Sequence, residues 1–237
     1  MQFRLGAVTG IVLAISLLLL ISFVALVRRD GPNSDVYPVA GIDVSHHQGE
    51  IEWEAVADSG VEFAFIKATE GGDFSDPRFE FNWQQAKAAG IPRGAYHFFT
   101  FCTSGLEQAG HFLKVVPPES GALPPVADVE FGGNCTSYDD LEEVREELAV
   151  FLAEIERAWG RKPILYLTFR SSFEIADARF AAYPVWFRNV FWSLPSDLSS
   201  LWIVWQHADD GSVAGIKGPV DQNVLRPDVS VASLQVE

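Results

Sequence analysis

The chain is short of positive charge: 17 Lys and Arg stand against 32 Asp and Glu, a formal net of −15 over 237 residues. The N-terminus is the exception. Arg4, Arg28 and Arg29 oppose Asp30, so residues 1–30 carry +2 and the rest of the chain −17. A domain this acidic offers no basic face, which excludes nucleic acid as a partner. No phosphate-cradling glycine loop is present, and no nucleophile elbow supports a Ser/His/Asp hydrolase. Metal-ligand spacing is missing too. His46 and His47 are adjacent, so on an extended segment they face opposite ways, and no third ligand follows at zinc spacing. Neither a metal nor a cofactor is expected. Cysteine is scarce: Cys102 and Cys135 allow one disulfide at most, or two unrelated thiols. Repeats and low-complexity tracts are absent. What remains is 48% hydrophobic, with seven Trp and eighteen Phe. That furnishes the core of one domain or two small ones.

One long run lacks charge altogether. Ala7–Val27 spans 21 residues. As a helix it reaches roughly 31 Å, against a hydrocarbon core of about 30 Å. A cleaved signal peptide has a shorter apolar region, about 7–15 residues, before a small-x-small site. This run ends instead in Ala25-Leu26-Val27-Arg28-Arg29. The expectation is an uncleaved, membrane-spanning signal anchor over 1–28, a linker over 29–39 and a domain over 40–237. Residues 28–39 fully extended reach only about 40 Å. The domain would then work close to the membrane.

Beyond the linker, strands and helices alternate. Gly41–Ser45 reads as a first strand, Trp53–Asp58 as a short helix and Val61–Lys67 as a second strand. Asp76-Pro77 predicts an N-cap with Pro at N1, opening a helix that runs to about Ala89 before Gly90. Arg93–Phe99 is the third strand. Ser104 and Glu107 have capping-box spacing. Residues 125–131 form the fourth strand. Leu141, Val144, Leu148, Phe151 and Ile155 then recur at helical spacing until Gly160. Ile164–Thr168 is the fifth strand, with a weak helix around Ser172–Ala178. Pro184–Phe187, Leu201–Gln206 and Val220–Val224 follow as three strands with little room for helices between them. Five β-α units call for a parallel sheet, and eight strands suffice to close a barrel. The predicted fold class is α/β: an irregular TIM-like barrel, five β-α units and then three helix-poor strands, preceded by the transmembrane helix.

In such barrels chemistry sits at the C-terminal ends of the strands, and acids fall there. In Pro125-Val126-Ala127-Asp128-Val129-Glu130-Phe131, side chains alternate faces, so Asp128 and Glu130 point the same way. Two like charges that close cannot both ionise freely, and one pKa should rise. A protonated carboxylic acid beside an ionised one is the equipment of glycoside hydrolysis. Asp43 ends the first strand and Asp221 lies in the last, and those strands are neighbours in a closed barrel. Cys102 and Cys135 each follow their strand's end by the same short interval, on one rim. A disulfide between them is therefore expected.

Gly41-Ile42-Asp43-Val44-Ser45-His46-His47-Gln48-Gly49, Phe65-Ile66-Lys67-Ala68-Thr69-Glu70-Gly71, Gly94-Ala95-Tyr96-His97-Phe98, Asp128-Val129-Glu130, Trp205-Gln206 and Val220-Asp221-Gln222-Asn223 come in that order. Together they make residues 40–226 resemble the family 25 glycoside hydrolases. These are lysozymes cleaving peptidoglycan between N-acetylmuramic acid and N-acetylglucosamine. The resemblance implies that Glu130 is the general acid and that Asp43, Asp128 and Asp221 shape the sugar site. It also implies an attack by the substrate's own acetamido oxygen, with Asp128 stabilising the cationic intermediate; direct attack by water is the other course. Tyr96 and Tyr166 become candidates to reach the acetamido group, Trp186 and Trp205 to stack on sugars, and His97 and Glu70 to bind them. For each, core packing or structural support is the competing role. The chain departs from the family at Trp186-Phe187-Arg188-Asn189-Val190, where members often carry Trp-x-Ala-x-Tyr. Asp209–Gly218 reads as a plain turn with no subsite residue. The departure leaves room for a non-catalytic peptidoglycan-binding scaffold, and chitin is a lesser alternative substrate. The implied partner is a peptidoglycan strand, met outside the cytoplasmic membrane.

Overall fold

The computed structural model describes Ser16, Leu18 and residues 31–133, 135, 138, 140–191 and 202–236. The expected membrane span, Ala7–Val27, lies almost wholly outside these residues. Among the described residues no helix is long and apolar enough to cross a membrane.

The strands are β1 (Ala40–Val44), β2 (Phe63–Glu70), β3 (Phe74–Ser75), β4 (Arg93–Phe98), β5 (Val126–Val129), β6 (Ile164–Thr168), β7 (Val185–Arg188), β8 (Trp202–Gly211) and β9 (Val220–Leu225). Helices α1 (Trp53–Asp58), α2 (Phe79–Ala88), α3 (Gly105–Val115), α4 (Leu141–Trp159) and α5 (Phe169–Glu174) follow the first five barrel strands, and α6 (Val231–Leu234) comes last. The order β1-β9-β8-β7-β6-β5-β4-β2 closes on itself through a β1–β2 pairing, and β3 is a short antiparallel addition to β2. Eight strands thus form a TIM-like barrel.

The barrel is mixed where the sequence called for a parallel sheet. Strand β9 runs antiparallel to both β8 and β1. Only residues 212–219 separate β8 from β9. A parallel return needs a crossover of about a dozen residues or more, so this chain can only turn back as a hairpin.

Period-two alternation divides the apolar residues between two cores. Phe63, Phe65, Val126, Ile164, Trp186 and Val204 fill the barrel. Ala64, Ile66, Ala68 and Ala127 face the helices, with Leu148, Phe151 and Ile155 of α4 opposite. Glycine makes room for the interior rings. A Cβ on Gly41 would lie 2.4 Å from the Phe63 ring, and one on Gly94 would lie 2.5 Å from Phe65. Each glycine is the register partner of the ring it admits.

Local signals differ from expectation in three places. Helix α2 begins at Phe79, not at Pro77. Asp76 instead accepts the Arg78 backbone N–H through one oxygen and the His46 backbone N–H through the other. That second oxygen also lies 2.7 Å from His46 Nδ1, so Asp76 ties the helix entry to the end of β1. Helix α5 starts earlier than the weak 172–178 segment, because Thr168 and Ser171 cap each other directly after β6. Part of the expected linker is docked: Tyr37 packs edge-on against Trp205 at 5.7 Å and tilted against Trp202 at 6.2 Å.

Candidate active site

At the C-terminal mouth of the barrel is a cavity of about 360 Å³. All four acids marked in the sequence line it. Asp43 ends β1 and is the register partner of Asp221 on β9. Asp128 projects from β5, and Glu130 stands one residue beyond that strand on the same face.

Asp43 is buried and anchors a chain of donors. Its Oδ2 accepts from Gln206 Nε2 at 3.0 Å and from Asn223 Nδ2 at 2.7 Å. Tyr166 O–H in turn donates to Gln206 Oε1, at 2.9 Å, and Trp186 Nε1–H to Asn223 Oδ1, at 2.8 Å. Every link aims a donor toward the carboxylate, which fixes both amides and both rings. Burial still pushes Asp43 well above the ordinary carboxylate range, and repulsion by Asp221 adds to it. Asp221 is raised as well, chiefly by burial. Two touching carboxyls in a buried site are expected to share one proton.

The second pair behaves alike. Burial and then repulsion by Glu130 push Asp128 well up, against the pull of Lys67. One of its oxygens, Oδ1, is buried with no hydrogen-bond partner among the described residues. Glu130 is partly exposed and is also raised by burial, opposed first by Arg188. The mouth therefore favours retention of protons on its carboxyls, the condition that acid catalysis at a glycosidic oxygen requires.

The other candidates separate. Tyr96, Tyr166 and Trp186 line the cavity. Three do not. His97 is wholly buried outside the barrel wall, with Nδ1 2.7 Å from Thr69 Oγ1, Nε2 3.0 Å from Gln108 Oε1 and its ring stacked on Phe151. Burial lowers its pKa to about 3. Trp205 also sits in the outer core and donates to the Asn189 carbonyl. In both cases strand alternation is the cause: Tyr96 and Gln206, the immediate neighbours, take the inward face. Glu70 pairs with Lys67 Nζ at 2.7 Å and does not line the cavity, though its charge reaches Asp128.

Three lining residues were not anticipated: Arg188, Gln206 and Asp209. Arg188 lies two residues past Trp186, so period two would have placed it inward. Gln206 follows from the same rule. Asp209 corrects the reading of 209–218 as a plain turn, because β8 continues to Gly211. Cys102 and Cys135 are bonded, with Cα atoms 5.8 Å apart, and join the loops leaving β4 and β5. The bond ties down the chain directly after Glu130.

Comparison with known proteins adds to this geometry. The family model described as glycosyl hydrolases family 25 matches residues 42–216. The YegX protein of Escherichia coli strain K12 is 40% identical over 194 residues, 80% of this chain and 70% of that one. Lysozyme M1 of Streptomyces globisporus is 35% identical over 208 residues, 83% of this chain and 70% of its own length. The solved family 25 glycosyl hydrolase from Bacillus anthracis superposes with a TM-score of 0.74 at 36% identity, covering 83% of this chain and 93% of that one.

Proposed function

The chain belongs to the glycosyl hydrolases of family 25, and from that membership we propose a lysozyme that hydrolyses the β-1,4 bond between N-acetylmuramic acid and N-acetylglucosamine in peptidoglycan. The observation that carries this reading is the convergence of Asp43, Asp128, Glu130 and Asp221 on one cavity at the barrel mouth. The lysozyme relative supports the choice of polymer.

Glu130 is the general acid. It is the more exposed of its pair, so the glycosidic oxygen can reach it. Its raised pKa keeps a proton available. Asp128 is more deeply set, and one of its oxygens is without a partner. An acetamido N–H from the bound sugar supplies that partner. Donation to Asp128 favours its carboxylate form and sends the shared proton to Glu130. The acetamido oxygen then attacks the anomeric carbon as Glu130 protonates the leaving oxygen, and Asp128 stabilises the developing positive charge. No protein nucleophile is needed, one of the recognised exceptions to the two-carboxylate scheme. Asp43, fixed by the amide network, and its partner Asp221 shape the sugar site with Tyr96, Tyr166 and Trp186.

Ala7–Val27 serves in this proposal as a single-pass anchor that holds the barrel on the outer side of the cytoplasmic membrane. The docking of Tyr37 shortens the free tether and keeps the cavity near the bilayer.

The purified protein incubated with peptidoglycan sacculi is expected to clear turbidity and release new reducing ends. Binding to sacculi without any such release would favour the scaffold reading.

A further inference from the structure

Among the described residues ten line the cavity; five carry carboxyl groups and Arg188 is the one cation. It reaches the cavity from β7, the strand at which the chain departs from its family's usual small residue. Its guanidinium is committed at a single point: Nη2–H donates to Asp209 Oδ2 at 2.6 Å. Among the described residues no other hydrogen bond holds it, although its charge reaches Glu130 and Asp221. The pair lies at the open side, the Arg188 side chain 30% and the Asp209 side chain 47% exposed. An exposed, one-point ion pair is weakly held, and the rest of the guanidinium fork stays open. That fork matches a carboxylate with two parallel hydrogen bonds. The ionisable acids of the lining give an anion no attractive charge.

Resting on the muramidase reading above, we propose that Arg188 is a specificity residue that binds a substrate carboxylate on the lactyl arm of the muramic sugar. N-Acetylmuramic acid differs from N-acetylglucosamine by that arm, a lactyl ether ending in a carboxyl group. The anion is the arm's own carboxylate where the strand bears no peptide, and a stem-peptide carboxylate where it does. On binding, the guanidinium turns its free N–H groups to the substrate, and Asp209 keeps the side chain oriented. The cavity thereby distinguishes muramic sugars from the neutral sugars of chitin.

The test uses peptidoglycan strands in two forms, bearing stem peptides and stripped of them. Each form is used as it stands and after its carboxylates have been converted to carboxamides. KM, kcat and direct binding are measured for the wild-type protein, Arg188→Ala and Arg188→Lys. Wild type should prefer the carboxylate polymer over its carboxamide by about ten-fold, as expected for a charged hydrogen-bonded contact, and the preference should lie in KM. Arg188→Ala should reduce that preference to two-fold or less, and Arg188→Lys should keep part of it. The form in which the preference appears identifies the arm's own carboxylate or the stem's. Absence of a preference in wild type, or its retention in Arg188→Ala, overturns the proposal. Binding is read separately from cleavage. A protein that cleaves neither polymer would sink the muramidase reading, while the binding preference still decides the role of Arg188.

Discussion

Replacing Glu130 with Gln is expected to lower peptidoglycan hydrolysis by about 10²–10⁴-fold or more while leaving the fold intact. That is the range supplied by a positioned general acid. The amide keeps the shape of the side chain but holds no proton that it can give to the glycosidic oxygen. Glu130 is partly exposed and is raised by burial rather than locked into a network, so the change should leave circular dichroism close to wild type and should not lower the melting temperature. A pH profile adds an independent sign. The acid must be protonated to act, so wild-type activity should fall as pH rises through the raised pKa of Glu130. Residual activity in the variant should lose that limb. Substantial activity in Glu130→Gln would refute the assignment.

Asp128→Asn carries the second large effect, with opposite signs on rate and stability. Burial and Glu130 raise the folded-state pKa of Asp128 above its unfolded value. A carboxyl raised in this way stabilises the fold below the unfolded value, near 3.9. That contribution disappears as pH rises through the folded value, and the buried charge then works against folding. Asn is neutral at every pH. Thermal unfolding at pH 7 should therefore shift upward in the variant, by about 2–4 °C for a gain near 1 kcal/mol in a domain of this size. The gain should vanish near pH 3, where both states of the wild-type residue are protonated. The rate should drop by about 10²–10³-fold, because the group that stabilises charge in the transition state is gone. A variant that melts lower at pH 7 and hydrolyses at the wild-type rate would contradict both roles.

Much of this site is legible in the sequence, and the reason is local. Asp128 and Glu130 are two residues apart on one strand, and period two alone puts them on one face. Asp43 and Asp221 required only that the first and last strands be neighbours in a closed barrel. The same rule would also have settled His97 and Trp205. Tyr96 and His97 cannot both face inward, nor can Trp205 and Gln206, yet each pair contains two plausible sugar ligands. Residue type favoured the histidine and the tryptophan, and packing against Phe151 and Tyr37 decided otherwise. The Arg188–Asp209 pair was harder to foresee. It depends on the register between β7 and β8 and on how far β8 runs past Gln206, and neither is encoded locally. The antiparallel β9 was readable from the short connection that precedes it.

These acids are expected to cut the glycan on the muramic side. Mass spectrometry of sacculi digested by the purified protein tests it most directly, because one spectrum fixes both the bond and the sugar at the new end. Fragments terminating in reducing N-acetylmuramic acid are the predicted result. Fragments terminating in reducing N-acetylglucosamine, or strands left intact, would contradict it.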